Sequence, residues 1–179
     1  FDAHQVFEEI RGVLTAGSGG VLTRDAYLAL GVRQSIFPAD QRDQLYDLFE
    51  KYRHWLVEAK LYDLNLVAQD WQSLAAPRYD FVVIDEVQDI TTVQLALVLK
   101  TLRKPGHFLL CGDSNQIVHP NFFAWSQVKS LFWKDPKLAE RQELHVLTAN
   151  FRNGLEATRV ANQLLKIKHK RFGSIDRES

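Results

Sequence analysis

Two short apolar runs with a helix between them restrict the folds open to this chain more than any other stretch of it. Phe81, Val82, Val83 and Ile84 form one run, and His107, Phe108, Leu109, Leu110 and Cys111 form the other. Neither alternates apolar with polar, the pattern of strands covered on both faces. Between them, residues 91–103 open with Thr91 and Gln94 at capping-box spacing and carry Leu95, Val98, Leu99 and Leu102 on one face. Strand, helix, strand in this order implies a parallel sheet. A third run, Leu144, His145, Val146 and Leu147, extends it. Leu155, Val160, Ala161, Leu164 and Leu165 then mark a closing helix that ends in the basic cluster Lys166, Lys168, Lys170 and Arg171. Such cations more often close a helix C-terminus against its dipole, and they could also contact a phosphate backbone. The expected class is α/β, a parallel sheet flanked by helices.

The first 76 residues read differently, as a helical subdomain or insertion preceding an α/β domain at 77–179. Val6, Phe7, Ile10, Val13 and Leu14 recur at near-helical spacing before Gly17, Ser18, Gly19 and Gly20 break the pattern, and a short helix is expected after Thr23. Across residues 38–60, Leu45, Leu48, Phe49, Tyr52, Leu56 and Ala59 trace one face of a long amphipathic helix. Another helix is expected over residues 63–74, ending ahead of Pro77, because proline disfavours helix in its predecessor. No internal repeat interrupts this plan.

Composition narrows the class of partner without choosing one. Lysine plus arginine and aspartate plus glutamate number 22 each, so any surface for a polyanion is a local patch. The single cysteine, Cys111, lies inside an apolar run and fits a reducing, cytoplasmic compartment. No apolar stretch approaches the roughly 20 residues that span a bilayer, so no membrane partner is expected. The chain opens at Phe1 and contains no methionine, which reads as a segment of something longer.

In open parallel sheets ligands gather beyond the carboxyl ends of the strands. Here those ends are acidic. Asp85, Glu86, Val87, Gln88 and Asp89 follow the first run, and Gly112, Asp113, Ser114, Asn115 and Gln116 follow the second. An Asp-Glu pair at a strand end offers a hard oxygen ligand for magnesium beside a carboxylate able to orient and deprotonate water, a pairing suited to phosphoryl transfer to water. The same acids also suit the favourable dipole at a helix N-terminus, so the pair alone leaves both readings open.

Three elements in order carry a resemblance. Val83 to Asp89 resembles motif II of the UvrD/Rep-like superfamily 1 helicases, Asp-Glu-x-Gln-Asp; Leu110 to Gln116 resembles motif III, Gly-Asp-x-x-Gln; and Leu147 to Asn153, with Ala161 and Asn162 behind it, resembles motif IV. The resemblance runs over residues 62–171. It implies part of a RecA-like P-loop NTPase motor core belonging to an ATP-dependent DNA helicase or translocase. Its cofactors would be ATP and Mg2+, and its partners single-stranded or partly duplex DNA and the remaining motor domains of the same polypeptide. By the same resemblance, Asp85 and Glu86 face the metal, with Glu86 the base that positions the attacking water, and Gln88 and Asp89 complete that motif. Asp113 belongs to motif III, in which Gln116 senses the γ-phosphate and couples it to the DNA site. Arg152 would be an arginine finger, a contribution of roughly a thousandfold or more in rate. Taken without the motif, Arg152 equally fits a salt bridge to a neighbouring carboxylate.

The chain departs from the family pattern in two places. The segment after motif III reads Ile117, Val118, His119, Pro120, Asn121, Phe122, Phe123, Ala124, Trp125, out of register with the family's aromatic DNA-contacting stretch. Phe122, Phe123 and Trp125 could stack on bases, at roughly 1–3 kcal/mol per base, or pack a sheet edge; His119 falls near the family tyrosine. The larger departure is the phosphate loop. Gly12 and Gly17 have the P-loop glycine spacing, but Ser18 and Gly19 stand where lysine and Ser or Thr are required, and no strand precedes them. The chain alone is therefore expected not to hydrolyse ATP appreciably. Two other classes remain open: a magnesium-dependent nuclease or phosphatase using Asp85, Glu86, Asp89 and Asp113 as a carboxylate cluster, and a non-catalytic nucleic-acid-binding module that keeps the motor fold.

Overall fold

The computed structural model of the chain describes residues 1–32, 34–113, 145, 147 and 151–172. Helix α1, Ala3–Glu9, is capped by Asp2, whose side chain accepts from Gln5 N, and it widens into a π-helical turn at Ile10–Leu14. Helix α2, Arg24–Leu28, follows Thr23 as its cap, and α3, Arg42–Ala59, is led in by a 3-10 turn at Ala39–Gln41. The expected face of α3 is the buried one. Leu45 and Phe49 are fully buried and pack with Ile10, Leu14, Tyr27, Phe37 and Tyr46 into one core; Leu56 is also buried, and Ala59, at the far end, is exposed. Lys60 ends α3 in the left-handed conformation, and Leu61 N donates back to Leu56 O at 2.9 Å, a common way to satisfy the last carbonyls. Phe7, expected on the buried face of the first helix, is instead 43% exposed.

Two charged residues lie inside this helical core. Glu9 is fully buried and accepts from Tyr27 Oη at 2.8 Å, Ile36 N at 2.9 Å and the Ser35 hydroxyl. Arg42 is 1% exposed and spends its guanidinium on backbone carbonyls, those of Phe37, Leu30 and Gly31, closing the exit from α2. At the surface, Arg24 ties α2 to α3 through Asp43 and Asp47, each at 2.6 Å.

Helix α4, Leu64–Trp71, is capped by Asp63, whose Oδ1 accepts from Asn65 N and Leu66 N. It packs on α5, Thr92–Lys100, which sits between strands β1, Val82–Ile84, and β2, Phe108–Leu110. The strands pair in parallel with Val82 opposite Phe108 and Ile84 opposite Leu110, the strand, helix, strand unit expected. The capping box at Thr91 and Gln94 is formed as the spacing predicts.

The sheet differs from expectation in its second face. Ile84, Phe108 and Leu110 pack toward α5 with Val87, Leu95 and Leu99, whereas Phe81, Val83 and Leu109 are 57%, 61% and 52% exposed. Among the described residues no element covers that side, because α5 supplies the single helical layer on this sheet. The third expected strand lies mostly outside the described residues. Helix α6, Leu155–Phe172, begins where expected and carries His169, Lys170 and Arg171 in its last turn. No described helix is long and apolar enough to cross a membrane.

One buried side chain joins the helical layer to the α/β unit. Asn65, 1% exposed, donates through Nδ2 to Arg11 O and to Thr15 Oγ1, both at 2.9 Å. Its Oδ1 accepts from Thr91 Oγ1 at 2.7 Å and from Gln94 Nε2 at 2.9 Å. The amide is thus satisfied on both atoms, and it holds the N-terminus of α5 against the π-helical turn. Val93 N adds a bond to Ala16 O at 2.8 Å, and Gln72 Nε2 another to Val93 O at 3.1 Å. That fixes the helix immediately following the Asp85 to Asp89 segment.

Candidate functional site at the strand ends

The parallel ladder continues past the named strands into the acidic segments. Cys111 N donates to Ile84 O at 2.8 Å, and Val87 N, beyond the turn, donates to Cys111 O at 2.9 Å. The two post-strand segments are therefore held side by side at one end of the sheet, where ligands of parallel sheets bind.

Between Ile84 and the 3-10 turn Val87–Asp89 the backbone makes an unusual step. Glu86 has φ 53° and ψ 42°, left-handed geometry. Lys60 and Glu86 are the non-glycine residues of positive φ among those described. Lys60 has the ordinary reason of a helix C-terminus, whereas Glu86 leads out of a strand. Such geometry costs a non-glycine residue about 1–2 kcal/mol, and strain of this sort gathers at sites where a side chain must point in a particular direction. Here it aims the Glu86 carboxylate. Glu86 N donates to Asp85 Oδ1 at 2.9 Å, and both acids are exposed.

Gln88, 4% exposed, lies beneath them. Its Nε2 donates to Glu86 Oε2 at 2.5 Å, and its Oε1 accepts from Asp113 N at 3.1 Å. Gly112 permits this approach: a Cβ there would stand 2.7 Å from Gln88 Oε1 and 2.8 Å from Val87 Cγ1, closer than real contacts allow. Asp89 is exposed, its amide donating to Glu86 O at 2.9 Å to close the turn.

Of the expected site residues, Asp85, Glu86, Gln88 and Asp113 are thus brought together at the strand ends, with Asp89 on the same turn. Arg152 is exposed, three residues ahead of α6. Gln116, His119, Phe122, Phe123 and Trp125 lie outside the described residues. The sequence placed Gln88 in the motif without a task of its own, and no local pattern marks it as the bridge between the two acidic segments. The glycine at 112 was the available signal, since a glycine after a buried strand often marks a close approach.

The donor set fits magnesium only in one form. Mg2+ in nucleotide sites is held by one or two protein carboxylates together with water and phosphate oxygens, and Asp85 with Glu86 can supply that many. Among the described residues no three of His, Cys, Asp and Glu gather into a group able to hold a metal ion. Asp89 and Asp113 therefore do not join the pair in a self-sufficient cage.

The TPR and ankyrin repeat-containing protein 1 of Homo sapiens is 26% identical over 150 residues, covering 75% of this chain and 5% of that protein. The chain thus spans a small part of the curated relative's length. No solved structure matches it. Residues 33–126, just over half the chain, match the UvrD/REP helicase N-terminal domain. That span takes in α3, α4, both strands and the Asp85, Glu86, Gln88 and Gly112 arrangement between them, and the chain belongs to the UvrD/REP helicase N-terminal domain family.

Proposed function

We propose that the chain is the part of an ATP-dependent DNA helicase or translocase motor that carries motifs II, III and IV of a RecA-like core, and that Asp85 and Glu86 are its hydrolytic carboxylates. The observation that carries this reading is the left-handed Glu86, aimed from a strand end and held by Gln88. A helix N-cap role does not account for it: α5 is capped by Thr91, five residues further on.

In this reading Glu86 orients and deprotonates the attacking water, and Asp85 holds the magnesium-associated position beside it. The metal, when bound with nucleotide, neutralises charge developing on the phosphate oxygens. Gln116 and Arg152 sense and stabilise the γ-phosphate, and His119, Phe122, Phe123 and Trp125 form the surface for single-stranded DNA. The phosphate cradle comes from outside these 179 residues, since no Gly-x-x-x-x-Gly-Lys sequence occurs within them. The remaining motor domains belong to the same longer polypeptide. A nuclease or phosphatase built on four gathered carboxylates is disfavoured by the way Asp85, Glu86, Asp89 and Asp113 are arranged.

The test is Glu86→Gln in the intact protein. Expected is retained ATP binding with hydrolysis reduced by roughly a hundredfold or more. Normal turnover in that variant would refute the reading.

A further inference from the structure

We propose that Gln88 is a positioning residue that fixes Glu86 and makes its alignment depend on where the segment after β2 lies. The inference rests on the reading of Glu86 given above and adds the device that controls it.

The geometry allows Gln88 a single arrangement. Its amide must present Nε2 to the Glu86 carboxylate and Oε1 to the Asp113 N–H; turned over, oxygen would face oxygen and N–H would face N–H. Nearly complete burial removes water as a substitute partner for either end. Glu86 is in turn the residue whose left-handed backbone has little tolerance for adjustment. The side chain of Gln88 therefore acts as a rigid strut from one strand end to the other, parallel to the backbone bond from Val87 N to Cys111 O. Gly112 is what lets the second segment close to within reach.

The consequence is mechanical. Asp113 lies three residues before Gln116 in the same segment. A displacement of that segment breaks the bond at Gln88 Oε1 or drags the amide with it, and either outcome moves the Glu86 carboxylate. Hydrolysis is then sensitive to the post-β2 segment through Gln88, without that segment touching the attacking water.

The experiment uses the full-length protein and compares Gln88→Leu, Gln88→Glu and Glu86→Gln. Gln88→Leu removes both bonds at similar volume. Expected is a fall in kcat for ATP hydrolysis of roughly ten- to a hundredfold with KM for ATP within about twofold. In the nucleotide-free protein, hydrogen exchange at the Asp113 amide should accelerate by roughly tenfold or more, with the melting temperature preserved. Gln88→Glu keeps an acceptor for Asp113 N–H and loses the donor to Glu86. It should lower kcat while leaving the Asp113 amide protected, which separates the two ends of the strut.

Wild-type kcat in Gln88→Leu overturns the proposal. So does a loss of kcat that appears only together with lost ATP binding and a lowered melting temperature, the signature of a merely structural side chain. Normal hydrolysis by Glu86→Gln would instead overturn the functional reading and this inference with it. An inactive Glu86→Gln beside a fully active Gln88→Leu would sink the inference alone.

Discussion

Replacing Asn65 is the sharpest test of how the helical layer and the α/β unit are joined. Asn65→Leu keeps the volume and removes four hydrogen bonds, to Arg11 O, Thr15 Oγ1, Thr91 Oγ1 and Gln94 Nε2. The four are not equal. Thr91 is 1% exposed, so its hydroxyl proton is left without a partner, at a cost of about 1–3 kcal/mol. Thr15 Oγ1 still donates to Ile10 O at 2.8 Å, and Gln94 is only half-buried, so with Arg11 O these three contribute the ordinary net value of about 0.5–1.5 kcal/mol each. The expected loss is about 2.5–7.5 kcal/mol, a large share of the about 5–15 kcal/mol that stabilises a typical domain. Urea titrations of wild type and variant, followed by circular dichroism, would measure it. Thr91→Val should remove one of the same bonds, so the double variant should be less destabilised than the sum of the singles. A loss below about 1 kcal/mol for Asn65→Leu, or full additivity with Thr91→Val, would refute the view of Asn65 as the joint.

Other perturbations follow from the same packing. Gly112→Ala places a Cβ against Gln88 Oε1 and Val87 Cγ1 and should destabilise the protein by about 1–3 kcal/mol in urea titration; an unchanged midpoint would mean that Gln88 gives way freely. Glu9→Gln puts an amide N–H₂ where one carboxylate oxygen accepts: turned toward Ile36 it sets N–H against N–H, and turned toward Tyr27 and Ser35 it makes both hydroxyls accept and leaves the Tyr27 proton without its acceptor, so it should cost about 1–3 kcal/mol by the same measurement. Tyr52 donates to Asp63 Oδ2 at 3.0 Å, and burial together with that carboxylate pushes its hydroxyl up to about 12. Because the folded value lies above the unfolded one of about 10, the contribution is complete below pH 10 and disappears as pH rises toward 12. Tyr52→Phe should therefore flatten the fall in melting temperature between those pH values, and an identical slope would contradict the assignment.

Much of the architecture is written locally. The unalternating runs around Val83 and Leu109, the capping box at Thr91 and Gln94, and the three- and four-residue spacing of Leu45, Phe49, Tyr52 and Leu56 each encode an element through a period that neighbours along the chain can satisfy. The acidic pairs at the strand ends are legible for the same reason, since a strand end and the residues beyond it are adjacent in sequence. The order of the motifs carried the family resemblance, and residues 33–126 match that family.

What local patterns do not encode is which side chains meet across the fold. Asn65 reads as an ordinary helix residue until α5 arrives 26 residues later to place Thr91 on its Oδ1. No local pattern marks Glu9 and Arg42 as interior residues, and tertiary packing buries both against polar partners distant in the chain. The apolar runs predicted a sheet covered twice, but coverage depends on which helices reach it, and among the described residues α5 covers one face. At the candidate site the sequence alone determined that Asp85 and Glu86 stand at a strand end. Only the tertiary structure turned Glu86 left-handed and set Gln88 between it and Asp113, because a parallel register, unlike a period, brings together residues 25 positions apart.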